Sequence, residues 1–277
     1  MEIFILRRVL YAVPILLGVS IVIFGLVQLS PGDVADLLIP PEAPKEVADQ
    51  LRQKFGLDRP VYERYLIWLG NLLQGDLGVS VFTNQPVLGD LTSAMKLAVP
   101  AGILGFALGI VLGALAAVGR GGWLDKLLSG VAITGVSLPH YWVGIVLVAI
   151  FSVTYNTLPA QGMGPEGFPS TWEQIKHLIL PVVTLSLIPM GVVSRLVRAS
   201  VLEIISQEFV TTLQAKGLLS RRILLHIAKN AAPSVLAVMG LQFGYLLGGS
   251  ILVETVFNWP GSGNLMNLAI FRRDVPV

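Results

Sequence analysis

Ser194-Arg-Leu-Val-Arg-Ala-Ser-Val-Leu-Glu203, then Ile204-Ile-Ser-Gln-Glu-Phe-Val-Thr-Thr-Leu-Gln-Ala-Lys-Gly217, then Leu218-Leu-Ser-Arg-Arg-Ile-Leu-Leu-His-Ile-Ala-Lys-Asn-Ala-Ala-Pro233 form one polar interval between two apolar runs. Glu203 to Lys216 contains no proline or glycine, so the spacing predicts a helix. Gly217 then supplies the residue type that most easily takes the left-handed conformation closing it. Leu218 and Leu219 follow as apolar knobs, and Ser220 is placed to cap a second helix that carries Arg221 and Arg222 in its first turn. Two arginines there oppose the helix dipole, which suits a corner that docks on a partner. A solvated connection between two membrane helices fits the same pattern, and spacing alone leaves both open.

The setting is lipid. Charged residues are 13% of the chain and apolar residues 54%, against about a quarter and somewhat under half in soluble domains. A net charge of +2 gives no reason to expect nucleic acid as a partner. Without cysteine, disulfides, thiolate metal sites and cysteine nucleophiles are excluded.

Arg7 and Arg8 abut a charge-free run from Val9 to Gly32, long enough to cross a hydrocarbon core of roughly 30 Å; it reads as a retained first span and not a cleaved signal peptide. Pro31 to Lys96 is polar and acidic, with short helices expected over Pro44 to Phe55 and from Pro60 onward, the second carrying Tyr62, Tyr65 and Trp68 as an aromatic face. Leu97 to Gly119 is the second span, with Gly105, Gly109 and Gly113 spaced by four. About Val131 to Tyr155 is a third, kinked at Pro139. Thr157 to Lys176 reads as a loop, and Leu178 to Val193 as a short fourth span running on past Arg195 and Arg198, whose side chains snorkel to the surface. Val235 to Val253 is the fifth, with Gly240, Gly244 and Gly248 again spaced by four. Both glycine stripes suit close helix packing or moving gate helices.

Orientation follows from lysine and arginine. Ten of them, Arg7, Arg8, Arg120, Lys126, Arg195, Arg198, Lys216, Arg221, Arg222 and Lys229, fall on one side with four acidic residues; the other side holds nine basic and thirteen acidic. The positive-inside rule makes the first side, with the amino terminus, cytoplasmic.

Four motifs carry a family resemblance. Thr212-Leu-Gln-Ala-Lys-Gly-Leu218 followed by Arg222, His226, Asn230 and Pro233, together with Phe55-Gly-Leu-Asp-Arg-Pro60, Gly75-Asp-Leu-Gly78 and Glu254-Thr-Val-Phe-Asn-Trp-Pro-Gly-Ser-Gly263, resembles the first of the two permease subunits of binding-protein-dependent ABC importers of the dipeptide, oligopeptide and nickel class. The resemblance implies an all-α integral membrane protein with a type I ABC importer transmembrane domain, in the bacterial plasma (inner) membrane. Residues 1–96 would form the first span and an extracytoplasmic helical segment, and 97–277 the permease core. It implies a second homologous permease subunit, two cytoplasmic ATPase subunits, an extracytoplasmic solute-binding protein and membrane lipid as partners, no cofactor, and no ATP hydrolysis by the chain itself. Thr212, Ala215, Lys216, Gly217, Leu218, Arg222 and His226 would form the ATPase-coupling loop. Leu213 and Gln214 stand where the family usually has Ala-Arg, which removes a basic contact and adds bulk. The family also has a sixth span, expected where this chain ends, which points to a truncated sequence.

Glu254, Phe257, Pro260, Gly261 and Gly263 would frame the outer mouth, or alternatively form a scaffold turn with Phe257 and Trp259 anchored at the interface. His140, beside Pro139, would either line a path or bind metal, or bond to the backbone the proline frees. The cargo would be small peptides, with nickel chelates or other small solutes as the alternative. A gradient-driven secondary transporter would need ionisable groups within the spans, and their cores carry none. No G-x-S-x-G, P-loop or H-E-x-x-H pattern supports a membrane enzyme.

Overall fold

A computed structural model describes residues 2–28, 46, 49–50, 53, 58–80, 85–164, 171–248 and 251–272. The helix expected over Pro44 to Phe55 lies largely outside them. Ten α-helices are named in chain order: α1 (Glu2–Gln28), α2 (Val61–Leu73), α3 (Val87–Val118), α4 (Trp123–Ser137), α5 (His140–Leu147, continuing as a π-helical stretch, Val148–Thr154), α6 (Trp172–Ile205), α7 (Glu208–Ala215), α8 (Ser220–Leu247), α9 (Ile251–Val256) and α10 (Ser262–Arg272). Among the described residues four helices are long and apolar enough to cross a membrane: Leu6–Val27, Val87–Val118, Trp172–Ile205 and Ser220–Leu247. The α4 and α5 pair, bent by 98°, passes the same test only together, which gives five where the pair counts as one broken span.

The chain divides into two compact units, Met1–Gly89 with Met266–Val277, and Asp90–Leu265. In the first, α2 opens behind Pro60 as expected and packs on α1. The Tyr65 and Ser20 hydroxyls lie 2.9 Å apart, and Phe24 meets Tyr65 edge-on and Trp68 at a tilt, with ring centroids 5.4 and 5.9 Å apart. The aromatic face read from the sequence therefore holds this helix on the first span.

The second unit is organised by close backbone approach. A Cβ on Gly105 would lie 2.8 Å from the Ser186 carbonyl and from Pro189; one on Gly109 would lie 2.9 Å from the Met190 carbonyl and Val193; one on Gly113 would strike the Ser194 carbonyl. Both sets of contacts ascend together, so α3 and α6 run parallel. On the other side of α6, Gly191 lies against the Ala132 carbonyl and Gly135 against Leu187, which sets α4 antiparallel to it. The first glycine stripe is thus a packing seam. The second differs: among the described residues nothing lies within 4 Å of where a Cβ on Gly240 or Gly244 would sit.

Several boundaries depart from the sequence reading. Pro139 does not kink a continuous helix but ends one: Leu138 is held extended at ψ 135°, as a residue before proline prefers, and α5 starts afresh at 98° to α4. Helix α6 begins at Trp172, inside the expected loop, because Thr171 and Gln174 form a reciprocal capping box. Its 34 residues reach roughly 50 Å, well beyond a 30 Å core, and neither Pro181 nor Pro189 interrupts it. Ser220 is the first residue of α8, and Leu219 takes the cap position without a side-chain cap bond. The fifth span stops at Leu247, where the weak helix former Gly248 closes it; Ile251 to Val256 is a separate helix.

Gly109→Ala should lower the melting temperature of the detergent-solubilised protein, by the equivalent of about 1–3 kcal/mol of overpacking. Gly130→Ala, in open space on α4, should leave it unchanged or raise it. Equal effects of the two would remove the seam from its organising role.

Candidate functional site

The polar interval from Ser194 to Pro233 folds as a self-contained corner. Helix α6 ends at Ile205, α7 follows from Glu208, and α7 is closed by two backbone bonds of the Schellman type. The Gly217 N–H donates to the Gln214 carbonyl (2.9 Å) and the Leu218 N–H to the Leu213 carbonyl (3.2 Å). Gly217 has φ +71°, the left-handed value expected of it. Beneath the corner Ile204, Val210, Ile223, Ile227 and Ala231 form a buried cluster against which Leu213 and Leu218 pack. The bulk that Leu213 adds relative to the family pattern is therefore directed into the corner's own core.

The outer surface of the corner is basic and apolar. Thr212, Ala215, Lys216, Gly217, Arg222 and His226 are all exposed. Leu218 is not among them; Leu219, 71% exposed, is the knob that projects, and Leu224 and Leu225 in α8 are exposed as well. The helix at Glu203 to Lys216 is interrupted at Ser206 and Gln207, so the expected single helix is the last turn of α6 plus α7.

Just before the corner, α6 is clasped to α4. Arg198 donates from Nε to Asp125 Oδ1 (2.6 Å) and from a terminal nitrogen to Oδ2 (2.7 Å). Asp125 also accepts from the Gly121 N–H (2.9 Å) and the Ser129 hydroxyl (3.2 Å). Arg198 therefore ends in an ion pair and not in open snorkelling.

At the other end of α3 the Glu254 to Gly263 segment forms a helix, a turn and the start of α10, where a loop was expected. Phe257 and Trp259 are each 1% exposed, which corrects the interfacial-anchor reading: both belong to the core around Leu97, Ala101, Leu185 and Val253. The Trp259 Nε1–H donates to the Ser93 carbonyl at 2.9 Å, giving the buried indole its required acceptor. Glu254 is buried as well. Its carboxyl accepts from the Asn264 N–H at 2.7 Å, capping α10 from a distance, and the Gly263 N–H also favours its charged form. A Cβ on Gly261 would lie 2.6 Å from that carboxyl. Burial pushes the Glu254 carboxyl above its ordinary range, the two N–H groups oppose this, and Asp90 adds a small push upward. Of the five residues expected at the outer mouth, Pro260 alone is exposed.

His140 opens α5 with its ring edge-on to Tyr141, centroids 6.4 Å apart. Among the described residues no group of three or more histidine and carboxylate side chains is placed to hold a metal ion.

Comparison with known proteins bears on this arrangement. Residues 109–277 match the family described as "Binding-protein-dependent transport system inner membrane component", and residues 1–99 its amino-terminal companion, "Binding-prot-dependent transport system membrane comp, N-term". The chain belongs to this family. The permease is 37% identical over 279 residues to the glutathione transport system permease protein GsiC of Escherichia coli O6:H1 (strain CFT073), an alignment covering 99% of this chain and 88% of the relative. The proteins of the same name from Escherichia coli K12 and Shigella dysenteriae serotype 1 match to the same extent. A solved structure of the MetNI methionine ABC transporter in inward-facing conformations shares the fold, with a TM-score of 0.52 over 66% of this chain and 79% of that one at 18% identity. The permease is thus a multi-pass inner-membrane component of an ABC importer, a system that works through a binding protein, an ATPase and a paired permease.

Two sets of variants test the site geometry. Because a Cβ at Gly217 meets open space, the cost of replacing it is conformational, about 1–2 kcal/mol for alanine. Uptake by cells with verified insertion should rank Gly217→Asn near wild type, Gly217→Ala lower, and Gly217→Val lowest; equal loss for Asn and Val would contradict a left-handed requirement. At the second turn, Glu254→Ala leaves the part-buried Asn264 N–H without its carboxyl acceptor and should cost about 1–3 kcal/mol in detergent stability, whereas Glu254→Gln keeps an acceptor. A carboxyl whose folded pKa is raised contributes its stability at low pH and loses it as pH rises through that pKa. Glu254→Gln should therefore gain on wild type as melting is measured from below the ordinary glutamate range up to neutral pH.

Proposed function

We propose that this permease forms half of the translocation path of an importer of small peptides, paired with a second homologous permease and two cytoplasmic ATPase subunits and fed by an extracytoplasmic solute-binding protein. One observation carries the cargo assignment: 37% identity across 99% of the chain with a permease named for glutathione, itself a tripeptide. The amino terminus is cytoplasmic. In support, the clasp places the basic turn at Arg120 to Lys126 at the same end as Arg195 and Arg198, the grouping that the positive-inside rule requires.

The ATPase-coupling surface is the α7 to α8 corner, with Thr212, Ala215, Lys216, Gly217, Arg222 and His226 presented outward and Leu218 supporting from within. Leu219 joins the surface as its apolar knob. The Glu254 to Gly263 turn sits at the outer end and frames the mouth, with Phe257, Gly261 and Gly263 setting its shape and Pro260 on its rim. ATP-driven movement of the corner rocks the spans between outward and inward openings, and by linkage a loaded binding protein alters nucleotide turnover through the same coupling.

The chain has no cysteine, so one can be introduced without background. With Leu219→Cys expressed alongside its native partners, crosslinking should capture an ATPase subunit, and the yield should change with ATP. Leu218→Cys, turned into the corner's core, should capture little. Capture from neither position, with partners shown to be present, would remove the corner from its docking role. Competition of uptake by di- and tripeptides over amino acids and metal chelates checks the cargo.

A further inference from the structure

We propose that the Asp125 and Arg198 ion pair is the joint that transmits movement of the cytoplasmic corner to the α3, α4 and α6 block, making Asp125 and Arg198 positioning residues for transport. This rests on the coupling surface proposed above.

The joint is identified by its place along α6. Up to Ser194 and Val197, α6 is locked to α3 by the glycine seam and to α4 through Gly191. From Ile204 onward its buried side chains belong to the corner's own cluster, while Val201 packs both there and against the Val193, Val197 and Val235 cluster that α6 shares with α8. Arg198 lies between the two regimes, two helical turns short of the end of α6. There the glycine contacts have ended and the corner's core has barely begun. At that level α6 has α8 on one side, through Val197, Val201 and Val235, and the ion pair ties it to α4.

The chemistry of the pair suits a rigid joint. A guanidinium held by two parallel bonds to one carboxylate fixes angle as well as distance, which a lone ammonium cannot do. Asp125 is anchored independently of Arg198, through the Gly121 N–H in the α3 to α4 turn and the Ser129 hydroxyl one turn along α4. Its side chain is 7% exposed while that of Arg198 is 33% exposed, so the anchor is the buried partner and the arm the freer one. The neighbouring cations Lys126 and Arg195 are exposed and make none of these bonds. A displacement of the corner reaches α4 directly through this pair, without passing through the seam.

The test uses the whole transporter in proteoliposomes, with uptake and ATP hydrolysis measured on the same vesicles. Wild type, Asp125→Asn, Arg198→Gln and Arg198→Lys are each built on Leu219→Cys, so that capture of the ATPase is read in every variant. Expected for Asp125→Asn and Arg198→Gln is retained capture and retained ATP hydrolysis, with uptake down about tenfold, so that about tenfold more ATP is spent per molecule imported. Arg198→Lys, which keeps the charge but not the fork, should fall between and remains informative if the neutral variants insert poorly. Unchanged uptake, or uptake and hydrolysis falling in proportion, overturns the joint while leaving the docking surface standing. Failure of capture already in the Leu219→Cys parent overturns the docking surface and the joint with it.

Discussion

The contact of α3 with α6 is made at the backbone, through Gly105, Gly109 and Gly113, and everything else in the larger unit is positioned by it. In lipid there is no hydrophobic force between helices to gather them, so association rests on close packing and on hydrogen bonds. Removing three side chains from one face lets α3 lie directly on the carbonyls of Ser186, Met190 and Ser194. That fixes a parallel pair, which leaves the opposite face of α6 for α4 and brings Asp125 within reach of Arg198. It also carries Ser93, at the far end of α3, to the indole of Trp259, and so sets the turn at Glu254. Both ends of this unit are built on one seam.

Much of this was legible locally. Gly217 lies in the left-handed region that its place after a glycine-free helical stretch implies, and Pro60 precedes the helix it was expected to open. Local signals also misled. Pro139 was legible as a disturbance, but its size was not, because the decisive effect is the extended conformation imposed on Leu138, which turns a kink into a corner. The Thr171 and Gln174 capping box carries a readable signature, threonine followed three residues later by glutamine, inside a stretch whose proline and glycine content reads as loop. Phe257 and Trp259 have a composition equally suited to an interface or a core, and only tertiary contacts separate the two. The ion pair joins residues 73 positions apart, so no spacing rule could find it; the one hint was an acidic residue standing alone in a basic turn.

The corner shows how a departure from family pattern is absorbed. Leu213 stands where the resembled family pattern has a small residue, and an outward bulge would alter the docking surface proposed above. Instead the Schellman closure turns Leu213 and Leu218 toward Val210 and Ile223, so the substitution thickens the corner's core and leaves Lys216, Leu219 and Arg222 on its outer face. On the docking surface proposed above, specificity for a particular ATPase would fall on Gln214, Leu219 and the two arginines, all of them exposed.

That small core has a kinetic meaning. A loop that must fold on its partner spends part of its binding free energy on ordering itself, and its association slows accordingly. This corner is already closed by its own backbone bonds and its own leucines, so the partner proposed above would meet a finished surface. Docking can then proceed as the encounter of two rigid bodies, with a heat-capacity change set by the apolar area covered and none added by folding.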